Sequence, residues 1–553
     1  MISRNTKGQF YLTHAAICVL VWSLALSTTL GQRSNRKPST TPSQPAVSSG
    51  LSAAAQTAVE SALAFLQANQ LAEAEVAARK AIAEAPRSPV THNVLGVVLD
   101  RAQKSDQAFT EFKTAIKLDA RFVSAHNNLG RWYAERGKTT EAITEFERVL
   151  QIDPGHLQSH YNLGSLYATS DNPTKAAEHF AKARAAAPND PQLALAFLNV
   201  AYRANMIAEA NAAADFVERT VVNDSQSLFT LATALAQNHQ YERAARLYAR
   251  VNDMVPKTYE VLYNLGIALF NLDRNDEAAR YLAEAADLKP EPAETHFRLG
   301  LIASANGDQA NAVEEFKHAV ERDQRNANYH YMLGREYFRS GYWEGAINEY
   351  SEAMVLDPKQ PAYLLGRANA NYRKGEWAAA AHDFDLAGSL DPTIKDIDYL
   401  RGYAHRAAGN FDMARQLLEK FLASHADSVD ALASLGYVAI EQGRFDDAEV
   451  SLKKALTLEP DNVPVLYDYA RLSIKRRNYE EAVIRLRRVI EKNPTHTQAH
   501  YQLFLAYSRL KQSQAAETEL AEFKRLQTLE KQTTQERIAD EKLRTLRMVG
   551  QAP

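Results

Sequence analysis

Residues 327–360 read ANYHYMLGREYFRSGYWEGAINEYSEAMVLDPKQ, and this stretch decides the fold. Tyr331, Leu333, Gly334 and Tyr337 fall at helical spacing, and a break follows at Ser340-Gly341. A second run carries Ala346, Tyr350 and Ala353, and Asp357-Pro358 closes it. The pattern predicts two short amphipathic helices joined by a tight turn. Gly334 has no side chain to hold the helices apart, so the first can approach the second. Ala346 does the same from the other side. Neither helix can bury its apolar face alone, so the unit needs neighbours.

The neighbours are present at a fixed step. Counting 34 residues from Ala346 in either direction reaches alanine every time, from Ala74 to Ala516. The glycine position gives Gly96, Gly130, Gly164, Gly266, Gly300, Gly334, Gly402 and Gly436. Ala62, Ala232, Ala368 and Ala470 fill four gaps, and Leu198 and Phe504 are the exceptions. A closing proline recurs from Pro86 to Pro494. A period of 34 with these residues resembles the tetratricopeptide repeat family. The resemblance covers residues 55–530, fourteen units without insertion or deletion. It implies an all-α fold, a right-handed superhelical solenoid of antiparallel helix pairs whose first helices line a concave groove. It does not by itself imply one function, because such a scaffold serves many partners.

The flanks read differently. Arg4 and Lys7 precede an uncharged stretch from Ala15 to Leu30, followed by Ser27-Thr28-Thr29-Leu30-Gly31 at its end. Residues 1–31 therefore read as a secretory signal peptide, with an uncleaved membrane anchor as the alternative. The run is short for a spanning helix, which needs about 20 residues. The only cysteine, Cys18, lies inside it, and Ile17 in front of it does not suit a lipidation site. A mature chain without cysteine suits an oxidising compartment. An exported location is expected, a bacterial periplasm or cell envelope, or the inner membrane if the segment is retained. Residues 32–54 are polar and Pro/Ser/Thr-rich, a disordered linker. Residues 531–553 are expected to form a capping helix and tail.

The formal net charge of −3 over 553 residues argues against nucleic-acid binding, which favours a basic excess. No HExxH, GxSxG, GxGxxG or paired-cysteine pattern occurs, so no enzyme, cofactor, metal or small-molecule substrate is expected. Gly137-Lys138-Thr139 matches the end of a phosphate loop, but Trp132 stands where its first glycine belongs and the turn joins two helices. His92, His126, His160, His296, His330 and His500 all occupy the fourth repeat position. Equivalent helices lie roughly 10 Å apart, too far for their side chains to share one metal ion easily. Packing between the two helices, with a ring nitrogen bonded locally, is the expected role.

Within the family, the resemblance extends to the superhelix of O-GlcNAc transferase, without its catalytic domain. Asn128, Asn162 and Asn264 match the asparagines by which that superhelix grips peptide backbones, but Thr230, Arg298, Met332 and Gly366 interrupt the series. The carboxylate clamp of chaperone co-factors is not matched, because Leu195 and Leu365 replace its lysine. The concave positions implied by the family are 2, 5, 9, 12 and 13. Position 5 supplies aromatics, among them Tyr161, Tyr263 and Tyr331, which serve equally as packing between adjacent first helices. Later units add Arg335, Arg339, Asn369, Tyr372, Arg373, Tyr403, Arg406, Arg471, Lys475 and Arg509, against fewer acids, mainly Asp396, Asp430 and Glu441. A solvated face with mixed charge is the alternative. The leading expectation is a non-enzymatic scaffold that binds an extended peptide or partner protein, with acidic segments, in the groove. A structural component of an envelope polysaccharide or pilus export machine is the second.

Overall fold

A computed structural model describes residues 51–548 of the chain, with side chains to residue 535. The signal, anchor and linker expectations for residues 1–50 lie outside the described residues. The described residues form twenty-eight helices and no strand, from Ala53–Gln67 to Ser513–Met548. They fall into fourteen consecutive pairs in the register read above, an all-α repeat solenoid. In unit nine the pair is Ala327–Arg339 and Trp343–Leu356. Asn326 begins the first helix by accepting from the Asn328 N–H at 3.1 Å, which satisfies an otherwise orphaned donor.

The break between the helices has a conformational cause. The fifteenth residue of every unit has positive φ, from Asn69 at 58° to Lys511 at 60°. Six of these residues are glycine, including Gly341 and Gly375, and the rest carry a side chain. A left-handed residue ends a helix by turning its last N–H groups back onto the preceding carbonyls. Gly341 and Tyr342 do so, donating to Phe338 O and Tyr337 O at 3.1 and 2.9 Å.

Small residues set how closely the pair approaches. The recurring alanine of the second helix is 0% exposed in thirteen units and 5% in the last, Ala516. A Cβ at Gly334 would meet the Tyr350 ring at 3.0 Å, and one at Gly300 would meet Phe316 at 2.7 Å. The glycine is thus a socket for the bulky residue sixteen positions later. Unit five inverts the sizes: Leu198 takes the glycine position and Ala214 the bulky one, both 0% exposed. Phe504 has no such compensation, and it and Leu520 are only partly buried. Total volume is conserved in unit five and relaxed at the end of the array, as a close-packed core requires.

Two local departures bear on the boundaries. In unit eleven the first helix starts late, at Ile397, behind Asp396 at φ 59°. At the C-terminal end, Ser513–Met548 is one helix of 36 residues. The second helix of unit fourteen thus runs on through residue 531. The described residues divide into two compact units, one ending at Ala234 and one beginning at Leu235. The first holds a core around Val59, Leu95, Phe112 and Leu129. The second holds, among others, a core around Phe316, Leu333 and Tyr350.

Candidate functional site

The fourth-position histidines are spent on structure. His92, His126, His330 and His500 each donate from Nε2 to a carbonyl of the preceding turn, at 3.0–3.1 Å. Their Nδ1 atoms lie 2.6–2.7 Å from carboxylates of the second helix, Glu111, Glu145, Glu349 and Glu519. Each ring therefore ties two helices and the incoming turn together. The Glu349 bond holds His330 above the usual imidazole range, against the opposing effect of burial. His160 differs, because His179 stands where the others have glutamate, 3.0 Å away between Nδ1 atoms. Burial, then the neighbouring His160, lowers His179 to about 4. Among the described residues no group of three or more His, Cys, Asp or Glu is placed to hold a metal ion. Gly137-Lys138-Thr139 is the left-handed turn of its unit, with Gly137 at φ 71° and the second helix starting at Thr139.

The asparagines divide by partner. Asn128 is buried and donates to Asn93 Oδ1 at 2.9 Å, while its own Oδ1 has no partner. Asn162 Oδ1 accepts from Gln158 at 3.1 Å, and its buried Nδ2 has no partner. Asn264 and Asn369 donate to carbonyls of their own helices, Glu260 and Leu365, each at 2.7 Å. Among the aromatics, Tyr161 meets Phe180 edge-on at 5.6 Å and Tyr263 stacks on Tyr259 at 5.7 Å. Tyr331 lies against Tyr363 and Tyr350 at 5.1 and 5.8 Å. Tyr161 and Tyr331 thus pack between helices, while Tyr263 stacks on a ring of its own helix.

The arginines are not equivalent. Glu336 is 0% exposed, accepts from Ser304 Oγ at 2.7 Å and holds Arg339 Nη1 at 3.0 Å. A buried carboxylate without its cation is costly, so Arg339 serves the fold first. Arg335 is exposed, lies over Tyr331 and meets the Met332 sulfur at 3.2 Å. Arg373 is exposed.

From unit ten to unit thirteen the first helices build a continuous series of rings and guanidinium groups. Tyr372 stacks near Tyr403 with centroids 5.3 Å apart, and Tyr403 contacts Tyr399 at 5.8 Å. Burial, then the Tyr403 hydroxyl, raises the Tyr372 phenol, and burial raises Tyr399 to about 12. Arg406 lies between two rings, 4.5 Å from the Tyr403 centroid and 5.2 Å from Tyr437. Arg471 approaches the Tyr437 ring at 5.0 Å. It donates to Asp468 at 2.9 Å and Glu441 at 2.5 Å. Tyr467 continues the series onto His496 at 4.8 Å. Tyr437, Asp468 and His496 were not expected at the site. Tyr437 occupies position 9, one of the groove positions implied by the family, so the sequence held that signal. Asp468 and His496 lie at positions 6 and 34 and carried none.

Comparison with known proteins agrees with the repeat register. The tetratricopeptide repeat family matches residues 121–189, 229–290, 263–327, 334–375, 399–463 and 439–503, more than half of the chain. No curated protein matches the chain. Among solved structures, PilF of Pseudomonas aeruginosa is 23% identical, with TM-score 0.34, over 38% of this chain and 95% of that one. YrrB, described as having an unusual peptide-binding site, is 17% identical with TM-score 0.31, over 33% of this chain and 93% of its own. The Naa15/Naa10 complex bound to HypK-THB is 16% identical with TM-score 0.32, over 90% of this chain and 100% of that one. Fourteen helix pairs in one register, the glycine sockets and the family matches together establish that the chain belongs to the tetratricopeptide repeat family of protein-interaction scaffolds.

Proposed function

We propose that this scaffold binds an extended peptide segment along the first helices of units ten to thirteen, and that it does so outside the cytoplasm. The observation that carries the reading is the Tyr372–Tyr403–Arg406–Tyr437–Arg471–Tyr467 series. Tyrosine and arginine side chains are the residues that contribute most to binding surfaces, because they give large rigid contact area and directional hydrogen bonds. Here successive rings brace one another, so little side-chain freedom remains to be lost on binding. A chain laid across these helices would meet a new ring and guanidinium at each unit. The cations Arg335, Arg373 and Arg406, with no carboxylate within 4.0 Å among the described residues, favour a segment with acidic residues. The exported location is supported by the uncharged run from Ala15 to Leu30.

A photo-crosslinking residue at Tyr403 tests the surface. A second at Val450, on an outer second helix and 71% exposed, is the control. Capture of a defined peptide segment from native-host extract at position 403 and not at 450 is expected. Capture at 450 alone would refute the assignment. N-terminal sequencing of the protein from its host tests the location: loss of about the first 31 residues is expected, and an intact Met1 in the cytosolic fraction would refute it.

A further inference from the structure

The first helices of units eleven to thirteen and the turn into unit fourteen enclose an open cavity of about 560 Å³. Its polar lining is unusual in what is already spent. Asp468 is the only carboxylate in the lining, and Arg471 holds it at 2.9 Å while also reaching Glu441. That acid is therefore paired with Arg471, although burial still raises it against the effect of that bond. Arg406 has no carboxylate within 4.0 Å among the described residues. It lies between the Tyr403 and Tyr437 rings beside the Tyr372 hydroxyl, and Asp468 acts on it through space from beyond that distance. A guanidinium has five N–H donors, so most of its capacity is open.

Two further donors face the same space. Asn493 uses Oδ1 to accept from the Thr495 N–H and hydroxyl at 3.2 and 3.0 Å, which leaves its Nδ2 group without an acceptor. His496 Nδ1 accepts from the Ala499 N–H at 3.2 Å. Burial keeps this ring below the usual range, so the single proton of the neutral imidazole sits on Nε2, where no acceptor lies. The remaining walls are Val463, Pro464 and the Tyr467 ring. The cavity thus offers open donors and apolar surface, and its one carboxylate is already paired with Arg471 through Oδ1. Such a lining selects a ligand that brings acceptors of its own.

We infer that this cavity is an anchor for an acidic side chain of the bound peptide: an Asp or Glu carboxylate bonds bidentately to Arg406, a neighbouring apolar side chain rests on Pro464 and Tyr467, and peptide carbonyls accept from Asn493 and His496. The assignment rests on the peptide-binding reading above and adds the chemistry of its anchor. It differs from a lysine-and-asparagine clamp, because the cation is a planar arginine between two tyrosine rings. A planar fork matches a carboxylate in two parallel bonds, which an ammonium cannot do.

The test is to pan a random dodecapeptide phage library on the full chain and to measure the selected peptides by fluorescence anisotropy. Enrichment of Asp or Glu next to an apolar residue is expected. Arg406→Ala should weaken the selected peptide by about 10- to 100-fold, and Arg406→Lys should restore only part of the loss. Helical circular dichroism should be unchanged in both. Acetate should compete at least as well as inorganic phosphate. Selected peptides without an acidic position that still bind through Tyr403 would overturn the anchor and leave the peptide-binding surface standing. Peptides insensitive to both Arg406→Ala and Tyr403→Ala, or no enrichment at all, would overturn both. Much stronger competition by inorganic phosphate than by acetate would overturn the carboxylate assignment.

Discussion

Gly130 and Phe146 allow a quantitative test of how the two helices of a unit are matched. A Cβ at Gly130 would lie 2.8 Å from Phe146 Cε1, whereas carbons in contact sit about 3.5–4.0 Å apart. Phe146 is 1% exposed, so its ring has no route to solvent. Gly130→Leu alone must push the helices apart, at a cost of about 1–3 kcal/mol or more. Better helix propensity offsets about 1 kcal/mol of this. Phe146→Ala alone leaves a void and costs about 3–5 kcal/mol. Unit five already carries the inverted arrangement, with Leu198 at the glycine position and Ala214 at the bulky one. The double variant Gly130→Leu, Phe146→Ala should therefore be at least about 2 kcal/mol more stable than the two single losses added together. Denaturant melts give the global effect. Hydrogen exchange over residues 123–156 gives the local one, because a solenoid transmits a perturbation mainly to its neighbours. Strict additivity of the two substitutions would refute the idea that these positions share one space.

Three further outcomes follow from the same geometry. Ala346 is 0% exposed, so Ala346→Leu should cost about 1–3 kcal/mol in a urea melt, and an unchanged midpoint would show that the helix faces are misassigned. Arg477 holds φ 62° at a turn where other units use glycine, so Arg477→Gly should stabilise by about 1 kcal/mol, read as a higher thermal midpoint. His179 is lowered to about 4, below the value of about 6.5 in an unfolded chain. Its contribution is thus present above pH 6.5 and lost as pH falls towards 4, when the unfolded chain binds the extra proton. His179→Glu would recreate the bond that His126 makes with Glu145. It should gain on the order of 1–2 kcal/mol at pH 5, after discounting for solvent screening, and less at pH 7. Equal gains at both pH values would contradict the titration argument.

The fold was legible because its determinants are local and repeated. Helix approach depends on glycine or alanine at one position and alanine at another, and a period of 34 writes the first twelve times and the second fourteen. The turns were half legible: glycine marks six of the positive-φ positions, but Asn69, Arg477 and Lys511 adopt the same conformation without signalling it. The fourth-position histidines declared a packing role, and all but His160 find a carboxylate partner nineteen residues later in the same register.

The candidate site is where the sequence stopped being sufficient. Arg339 and Arg406 occupy related faces and read alike, yet Glu336 is buried three residues before Arg339 and claims it. Arg406 lies between rings beside a hydroxyl, with no carboxylate within 4.0 Å among the described residues. Asn264 and Asn369 bond their own helices, while Asn128 and Asn162 keep a buried polar atom without a partner. The carboxylate that claims Arg339 is in the same helix, but the Ser304 hydroxyl bonded to it comes from the unit before. Helical periodicity fixes which face a side chain occupies. Whether its charge is already neutralised depends on which neighbouring groups, from its own helix or the next unit, are buried against it, and only the tertiary structure decides that.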